Sequence, residues 1–362
     1  MIIGNINVVQ VLSLMSAFSD FFPSAGSQVN ITNIQGNKPY SKEYFIDGVL
    51  FENFNMQTAL IFSSFNRPVF LVIERSAFSY CQTGADDGGA LYYHSNDGGM
   101  ALQSVCAFHC YTEAGKGQFC WAKVGFDEKI SMNIVAIQEC APATVFGTRY
   151  SPISFTNGNI SLKNFNSSKN QVFQYSCLSV ENMRSFNITF CSFIWNTATN
   201  YYGIYLYDSD YTAVNMSYGN FISNREIGLG YGLLYAYKIL LYISYSYFKD
   251  NDYILFYGGL SNLTLNDCYI QHYSLANIFY AQMTLIKITN NYNTTTSKFT
   301  ETIPVEHFST HQCAEAFYHQ NIPCETIPPL PTECFVETST GISSISLIKI
   351  VNSLLALFVS FE

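Results

Sequence analysis

The strongest constraint on this sequence is a pattern that recurs after 28 and then 27 residues. Its three clearest copies are residues 188–196, 216–224 and 243–251. Each copy begins with an apolar residue, a small polar residue and an aromatic residue, and continues with Phe at the sixth position and Asn at the ninth. A fixed period of this length is typical of proteins that stack one structural unit per repeat.

The same frame extends in both directions along the chain. The Phe position is continued by Phe78, Phe108, Ile137, Phe165 and Ile270. The apolar position five residues earlier is held by Ile73, Met132, Ile160, Ile188, Met216, Ile243 and Leu265, with Leu102 six residues before Phe108. Because side chains five residues apart along one strand point to opposite faces, we expect a bend between these two positions.

Two columns of like residues on one long period predict an all-β fold, a right-handed parallel β-helix of about eight to nine coils. In such a β-solenoid the coils stack about 4.8 Å apart and pair their backbones in parallel. The right hand follows from the crossover rule for parallel strands. Helical repeats are the competing interpretation, but Tyr, Thr, Ile, Phe, Asn and Gly favour strands and turns. The residue three positions after the Phe position is Asn or Cys in most coils and Ser168 in the coil of Phe165, and it is predicted to lie at a turn, where an Asn side chain bonds the backbone.

Five segments follow from changes in composition. Residues 1–25 contain an apolar run and are a candidate signal or targeting segment, with an N-terminal cap strand as the alternative. Residues 26–68 are predicted to form the cap and first coil, and residues 69–300 the parallel β-helix. Residues 301–341 contain Pro and Cys and are predicted to form a stalk or wrap. Residues 342–362 form an apolar tail that is long enough to anchor the chain in a membrane. A lipid-anchor signal, with the small residues 339–341 before the apolar end, and a short buried cap are the alternatives.

Charge and cysteine spacing exclude several classes of protein. The formal net charge of −9 argues against a nucleic-acid binder, which needs a basic surface. No two cysteines are spaced C-x-x-C, so zinc-ribbon and thioredoxin-like sites lack support. We predict no metal site and no cofactor.

Three cysteines occupy the same position in successive coils: Cys81, Cys110 and Cys140. Stacked Cα atoms about 4.8 Å apart lie within disulfide range, so neighbours in this column are candidates for a disulfide ladder. A column of buried free thiols is the equal alternative.

Seven N-x-S/T sequons are candidate glycosylation sites if the chain is secreted by a eukaryotic cell: Asn30, Asn159, Asn166, Asn187, Asn215, Asn262 and Asn293. Three of them, Asn159, Asn187 and Asn215, lie six residues before their Phe positions. We therefore expect these three to share one outward column, where a polar outer face is the simpler interpretation.

A stripe of tyrosines is the candidate ligand-binding surface: Tyr205, Tyr207, Tyr235, Tyr237 and Tyr257. Strand alternation places these side chains on one face. Tyr combines a rigid ring with a polar hydroxyl, which suits contact with a sugar or a protein. The alternative is that Tyr is simply a good strand former.

The motifs F-x-x-N and G-G-A-[IL] occur together, the second at residues 88–91. They resemble the repeats of chlamydial polymorphic outer-membrane proteins, and also look like β-helix surface proteins of protist parasites such as trichomonads. The resemblance covers residues 78–273. It implies a pectin-lyase-like right-handed β-helix and a surface or adhesive role.

The leading hypothesis is therefore a non-catalytic cell-surface or extracellular protein, an adhesin or antigen that binds host or matrix glycans or proteins and is anchored to a membrane by its tail. The alternative is a polysaccharide lyase or glycoside hydrolase, because pectin-lyase-like scaffolds host such enzymes. That chemistry needs clustered carboxylates. The candidates are Asp86 with Asp87, Asp208 with Asp210, and Asp250 with Asp252, for which ordinary turn positions are the competing explanation.

Overall fold

The fold is all-β and is a parallel β-solenoid. The structure is a computed structural model that describes residues 5–8, 21–22, 43–64, 67–84, 86–141, 150–228, 232–251, 254–271, 279–280, 283–291, 303 and 358–360. These residues complete about seven turns. The prediction of eight to nine coils was slightly too high, because the outermost coils are incomplete among the described residues.

The strands are short and follow one another closely along the chain. Their bounds are β1 Asn5–Val8, β2 Glu43–Asp47, β3 Val49–Glu52, β4 Leu60–Ser64, β5 Phe70–Glu74, β6 Ala77–Ser79, β7 Gln82–Thr83, β8 Leu91–Ser95, β9 Met100–Phe108, β10 Tyr111–Thr112, β11 Cys120–Val124, β12 Lys129–Gln138, β13 Ile153–Thr156, β14 Asn159–Ser168, β15 Gln171–Val172, β16 Leu178–Glu181, β17 Ser185–Ile194, β18 Thr197–Ala198, β19 Ile204–Ile222, β20 Arg225–Glu226, β21 Leu234–Ser244, β22 Tyr247–Lys249, β23 Phe256–Gly259, β24 Ser261–Asn266, β25 Tyr269–Ile270, β26 Phe279–Tyr280, β27 Met283–Thr289 and β28 Phe358–Ser360.

Parallel pairing from coil to coil builds three faces. The first face runs from β2 through β5, β9, β12, β14, β17, β19, β21 and β24 to β27. The second face begins at β4 and runs through β8, β11, β13, β16, β19, β21 and β23 to β26. The third face runs from β3 through β6, the later halves of β9, β12, β14, β17 and β19, and β22 to β25.

The predicted apolar column lies inside the first face. Its members are Ile73, Leu102, Met132, Leu162, Ile188, Met216, Ile243 and Leu265, each partnered with the next coil and at most 1% exposed. The prediction is confirmed except that Leu162, rather than Ile160, holds the fourth place. Burial of such side chains is the main stabilising term of the fold.

The predicted Phe column lies inside the third face. Its members are Phe78, Ala107, Ile137, Ser167, Phe193, Phe221, Phe248 and Ile270. The rings of Phe193 and Phe221 stack at 5.3 Å, and those of Phe221 and Phe248 stack at 4.6 Å. The predictions of Phe108 and Phe165 were wrong, because Ala107 and Ser167 hold those places.

The bend between the two columns is also confirmed. Directly after the first-face strand of each coil comes one residue with a left-handed backbone, with φ between 43° and 63°. These residues are Gly48, Arg75, Ser104, Ile134, Asn164, Phe190, Tyr218, Tyr245, Asp267 and Asn290. The left-handed residue changes the direction of the chain, so apolar side chains on both sides of it point into the same core.

Described residues from both chain ends lie against the first coil. β1 pairs antiparallel with β3, and β28 pairs in parallel with β4. Phe22 is buried in a small cluster with Phe45, Val72 and Ala101. These contacts cover strand edges that would otherwise be open. Across the described residues, no helix is long and apolar enough to cross a bilayer.

Candidate binding surface and turn ladders

The five predicted tyrosines form one surface on the second face, called here the tyrosine surface. Tyr205, Tyr235 and Tyr257 are partners in three successive coils, and Tyr207 is the partner of Tyr237. All five are half-buried. They alternate with buried residues that point into the core: Ile204, Leu206, Leu234, Ala236, Phe256 and Gly258. The predicted outward stripe is therefore present in register.

The rings of the tyrosine surface stack on one another. The ring centroids of Tyr205 and Tyr235 are 5.2 Å apart and their planes differ by 3°. Tyr207 and Tyr237 are 5.3 Å apart with planes 5° apart, and Tyr235 and Tyr257 are 5.7 Å apart. Neighbouring rings thus cover each other's faces. A ligand that approaches the stack from outside therefore meets ring edges and hydroxyl groups.

Two tyrosines of this cluster were not predicted. The ring of Tyr175 stacks on Tyr205 at 4.4 Å, and the ring of Tyr202 stacks on Tyr235 at 4.4 Å. Both lie in turns before a second-face strand, where strand alternation gives no signal. Burial raises the pKa of Tyr235, so this phenol is a neutral hydrogen-bonding group at physiological pH.

An ion pair borders the tyrosine surface. Glu181 is the strand partner of Tyr207 in the preceding coil. The Lys116 ammonium lies 3.1 Å from the Glu181 carboxylate and 5.7 Å from the centroid of the Tyr150 ring. The border therefore has one charge of each sign, next to the uncharged tyrosines.

A second aromatic stack lies at the bend. Phe190 and Tyr218 have ring centroids 4.9 Å apart, and Tyr218 and Tyr245 are 5.2 Å apart. Tyr218 is 38% exposed and Tyr245 is 42% exposed. The repeat showed the shared aromatic position but not its exposure, because the left-handed bend that turns it outward is not visible in the alternation of residues.

An asparagine ladder fills the turn after the third face, as predicted for the Asn position. Its members are Asn170, Asn196, Asn224 and Asn251, and the prediction of Ser168 in this column was wrong. The Nδ2 of Asn196 donates to the carbonyl of Ser167 at 2.8 Å, while its Oδ1 accepts from the backbone N–H of Asn170 at 3.0 Å. Each side chain therefore satisfies buried backbone groups of the neighbouring coil.

Cysteines continue this ladder. Cys81, Cys110 and Cys140 are buried free thiols, which is the second of the two predicted alternatives. The thiol of Cys81 donates to the carbonyl of Phe51 at 3.5 Å, and that of Cys110 donates to the carbonyl of Phe78 at 3.6 Å. These are the positions that Asn Nδ2 groups reach in later coils. Among the other cysteines, Cys106 is disulfide-bonded.

The sequon asparagines differ in exposure. Asn187 and Asn215 are exposed and face each other, with Nδ2 of Asn215 donating to Oδ1 of Asn187 at 3.1 Å. Asn159 is half-buried and pairs with Ser185, so the prediction that it shares their column was wrong. Asn262 is half-buried, and Asn166 is only 7% exposed. The remaining two, Asn30 and Asn293, lie outside the described residues.

The acidic residues considered for catalysis lie at separate places in the solenoid, and Asp208 and Asp210 lie at the register shift inside β19, between Tyr207 and Thr212. Oδ1 of Asp208 accepts from the backbone N–H groups of Ser209 and Asp210, at 2.6 and 3.1 Å. Oδ1 of Asp87 accepts from the backbone N–H of Lys116. Asp208 follows the second face, whereas Asp250 follows the third face. These bonds match the turn explanation for Asp87 and Asp208.

Neither Asp86 nor Asp250 is brought beside Asp208, and Asp252 lies outside the described residues. Within the described ranges, no group of three or more His, Cys, Asp or Glu side chains is arranged to hold a metal ion. No protein-family model matches the chain, and no curated protein or solved structure matches it either.

Proposed function

We propose that this chain is a non-catalytic binding protein of the cell surface or extracellular space, which uses its tyrosine surface to contact a glycan or protein partner. The observation that carries the proposal is the in-register array of half-buried tyrosines on the second face. A parallel β-solenoid is rigid, because each coil is bonded to its neighbours along the whole rod. Such a rod holds the array in one fixed geometry.

The array has the properties of a contact surface. Tyr brings large contact area at a low cost in side-chain entropy, and its hydroxyl donates and accepts hydrogen bonds. Stacking against Tyr235 fixes the ring of Tyr205 before any ligand arrives. Preorganised groups lose little freedom on binding, which favours affinity. A partner that approaches from outside meets a flat surface of ring edges and hydroxyls.

Binding to immobilised panels of polysaccharides and extracellular-matrix proteins tests this proposal. The test variant is Tyr205→Ala with Tyr235→Ala. The matched control is Tyr218→Ala with Tyr245→Ala, because that pair has the same centroid distance of 5.2 Å but lies on the bend. We expect at least a tenfold loss of affinity for the bound probe in the test variant and no change in the control. Equal binding by both variants, or no binding to any probe, contradicts the proposal.

The same proposal places the chain at the cell surface or in the extracellular space. The parallel β-solenoid is the type of scaffold that the pectin-lyase-like resemblance implies. This shared scaffold is the support that the fold gives to a surface role. The proposal also includes attachment to a membrane through residues 342–362. The pairing of β28, which lies in this range, with β4 competes with membrane attachment. Surface biotinylation of intact cells is expected to label the chain, and detergent is expected to be needed for its extraction. Labelling only after cell lysis contradicts the location.

A further inference from the structure

The outer side of the third face is covered. Strand alternation points one column of this face away from the core, and its later members are Asn166, Ser192, Asn220, Tyr247 and Tyr269. Their exposed fractions are only 3–7%. The outward tyrosines of the second face are half-buried by comparison. An outward column with so little exposure requires other residues on top of it.

Ile303 is a described residue that lies on this column. Nδ2 of Asn220 donates to the carbonyl of Ile303 at 2.7 Å, and the backbone N–H of Ile303 donates to Oδ1 of Asn220 at 2.9 Å. This pair of hydrogen bonds resembles the pairing of two residues on neighbouring strands, with the side-chain amide of Asn220 in place of one backbone. It selects an extended backbone and does not depend on the side chain that the backbone carries.

The side chain of Ile303 makes a separate contact. It packs with Ile222 against the buried pair Tyr247 and Tyr269, whose rings stack at 4.6 Å. Polar pairing to Asn220 and apolar packing on the tyrosine pair are thus made by one residue. Both interactions gain from the exclusion of water.

We propose that the third face is a docking surface for an extended segment with an apolar side chain, and that the segment carrying Ile303 occupies it in the same chain. Ile303 follows the end of β27 at Thr289 by 14 residues. These can reach about 46 Å when extended. The coil of Asn220 lies three coils earlier, a distance of about 14 Å along the axis. The tether therefore reaches easily and gives a high local concentration.

Tyrosine nitration of the full-length chain tests the proposal, with peptide mass spectrometry to assign each site. The variants are Ile303→Asp and Asn220→Ala, and the control is Asn215→Ala in the same strand. Exposed Tyr245 serves as an internal standard. We expect Tyr247 and Tyr269 to react at least fivefold faster in both variants, and at the original rate in the control. Circular dichroism checks that each variant is folded.

Several outcomes overturn the proposal. One is nitration of Tyr247 and Tyr269 in the unaltered chain as fast as that of Tyr245, since the face is then open. A second is an unchanged rate in folded Ile303→Asp, which decides the question even if Asn220→Ala does not fold. A third is protection that falls on dilution, because the occupant is then a second copy of the chain.

Discussion

At the scale of single residues, the turn after the third face shows why Asn serves this fold better than Cys. The Asn196 side chain has both an acceptor and a donor, so it bonds the preceding coil through Asn170 and Ser167. It also donates to Oδ1 of Asn224 in the following coil. The thiol of Cys110 donates to one carbonyl of the preceding coil, at 3.6 Å. Thiols are weak donors, so the ladder weakens toward the N-terminal coils.

The ladder predicts a large cost for Asn196→Ala. The substitution removes partners of a buried backbone N–H and a buried carbonyl, so we expect the free energy of unfolding to fall by about 3 kcal/mol. Asn187→Ala, at an exposed site in the preceding strand, is expected to change it by no more than about 0.5 kcal/mol. Urea unfolding measures both. Similar effects of the two variants would show that the ladder bonds contribute little.

Buried thiols predict a loss of stability at alkaline pH. Burial raises the pKa of Cys177 to about 12, whereas an unfolded thiol titrates near about 8.5. The stabilisation from the protonated thiol is therefore complete below about pH 8.5 and is lost as the pH rises toward 12. Urea unfolding under reducing conditions is expected to show this decline.

The variant Cys177→Ala isolates the contribution of this thiol. Between about pH 9 and pH 11, its free energy of unfolding should fall less steeply than that of the unaltered chain, by about 1.4 kcal/mol per pH unit. Any constant offset from the smaller side chain does not affect this slope. Parallel pH profiles would show that the Cys177 thiol ionises as easily in the folded chain as in the unfolded one.

At the scale of strands and turns, the bend is imposed by stacking rather than by local preference. Gly48 and Asn164 tolerate a left-handed backbone well, but Ile134 adopts it with φ of 53°. A β-branched side chain is strained in this conformation. Ile134 is held there because the strand segments on both sides of it are paired in register with both neighbouring coils.

The bend predicts opposite effects for one type of substitution at two sites. Ile134→Asn relieves left-handed strain at a half-buried position, so we expect a gain of about 1 kcal/mol in the free energy of unfolding. Ile137→Asn buries an amide in the core and is expected to cost about 3 kcal/mol. Thermal and urea unfolding of both variants check the signs. A loss of stability in Ile134→Asn would contradict a strained bend.

The repeat was sufficient to predict the strands and the bend, but it failed at the coil that contains Phe165. Phe165 is 28 residues from both Ile137 and Phe193, so it fits the period. In the structure the step from Ile137 to Ser167 is two residues longer, and the step from Ser167 to Phe193 is two residues shorter. The two changes cancel in the sequence. Spacing alone therefore cannot detect them, and the misplacement of Ile160, Ser168 and Asn159 has the same origin.

At the scale of the whole molecule, the three faces of the rod have different outer surfaces. The second face carries the tyrosine surface, the third face is covered, and the first face carries the exposed pair Asn187 and Asn215. The periodic pattern predicted the tyrosine surface because each coil contributes its own residues. It could not predict the contact between Asn220 and Ile303, which are 83 residues apart and belong to no shared period.

The central claim is that successive coils stack in register along one axis. Distances between two spin labels in one molecule test it directly. The labels are attached to pairs of introduced cysteines, at Tyr80 with Trp195 and at Tyr80 with Asp250. All three positions are exposed and occupy the same turn position after the third face. Trp195 lies four coils after Tyr80, and Asp250 lies six coils after Tyr80. We predict backbone distances of about 19 Å and about 29 Å, at about 4.8 Å per coil. Distances that do not increase with the number of coils would contradict the stacked solenoid.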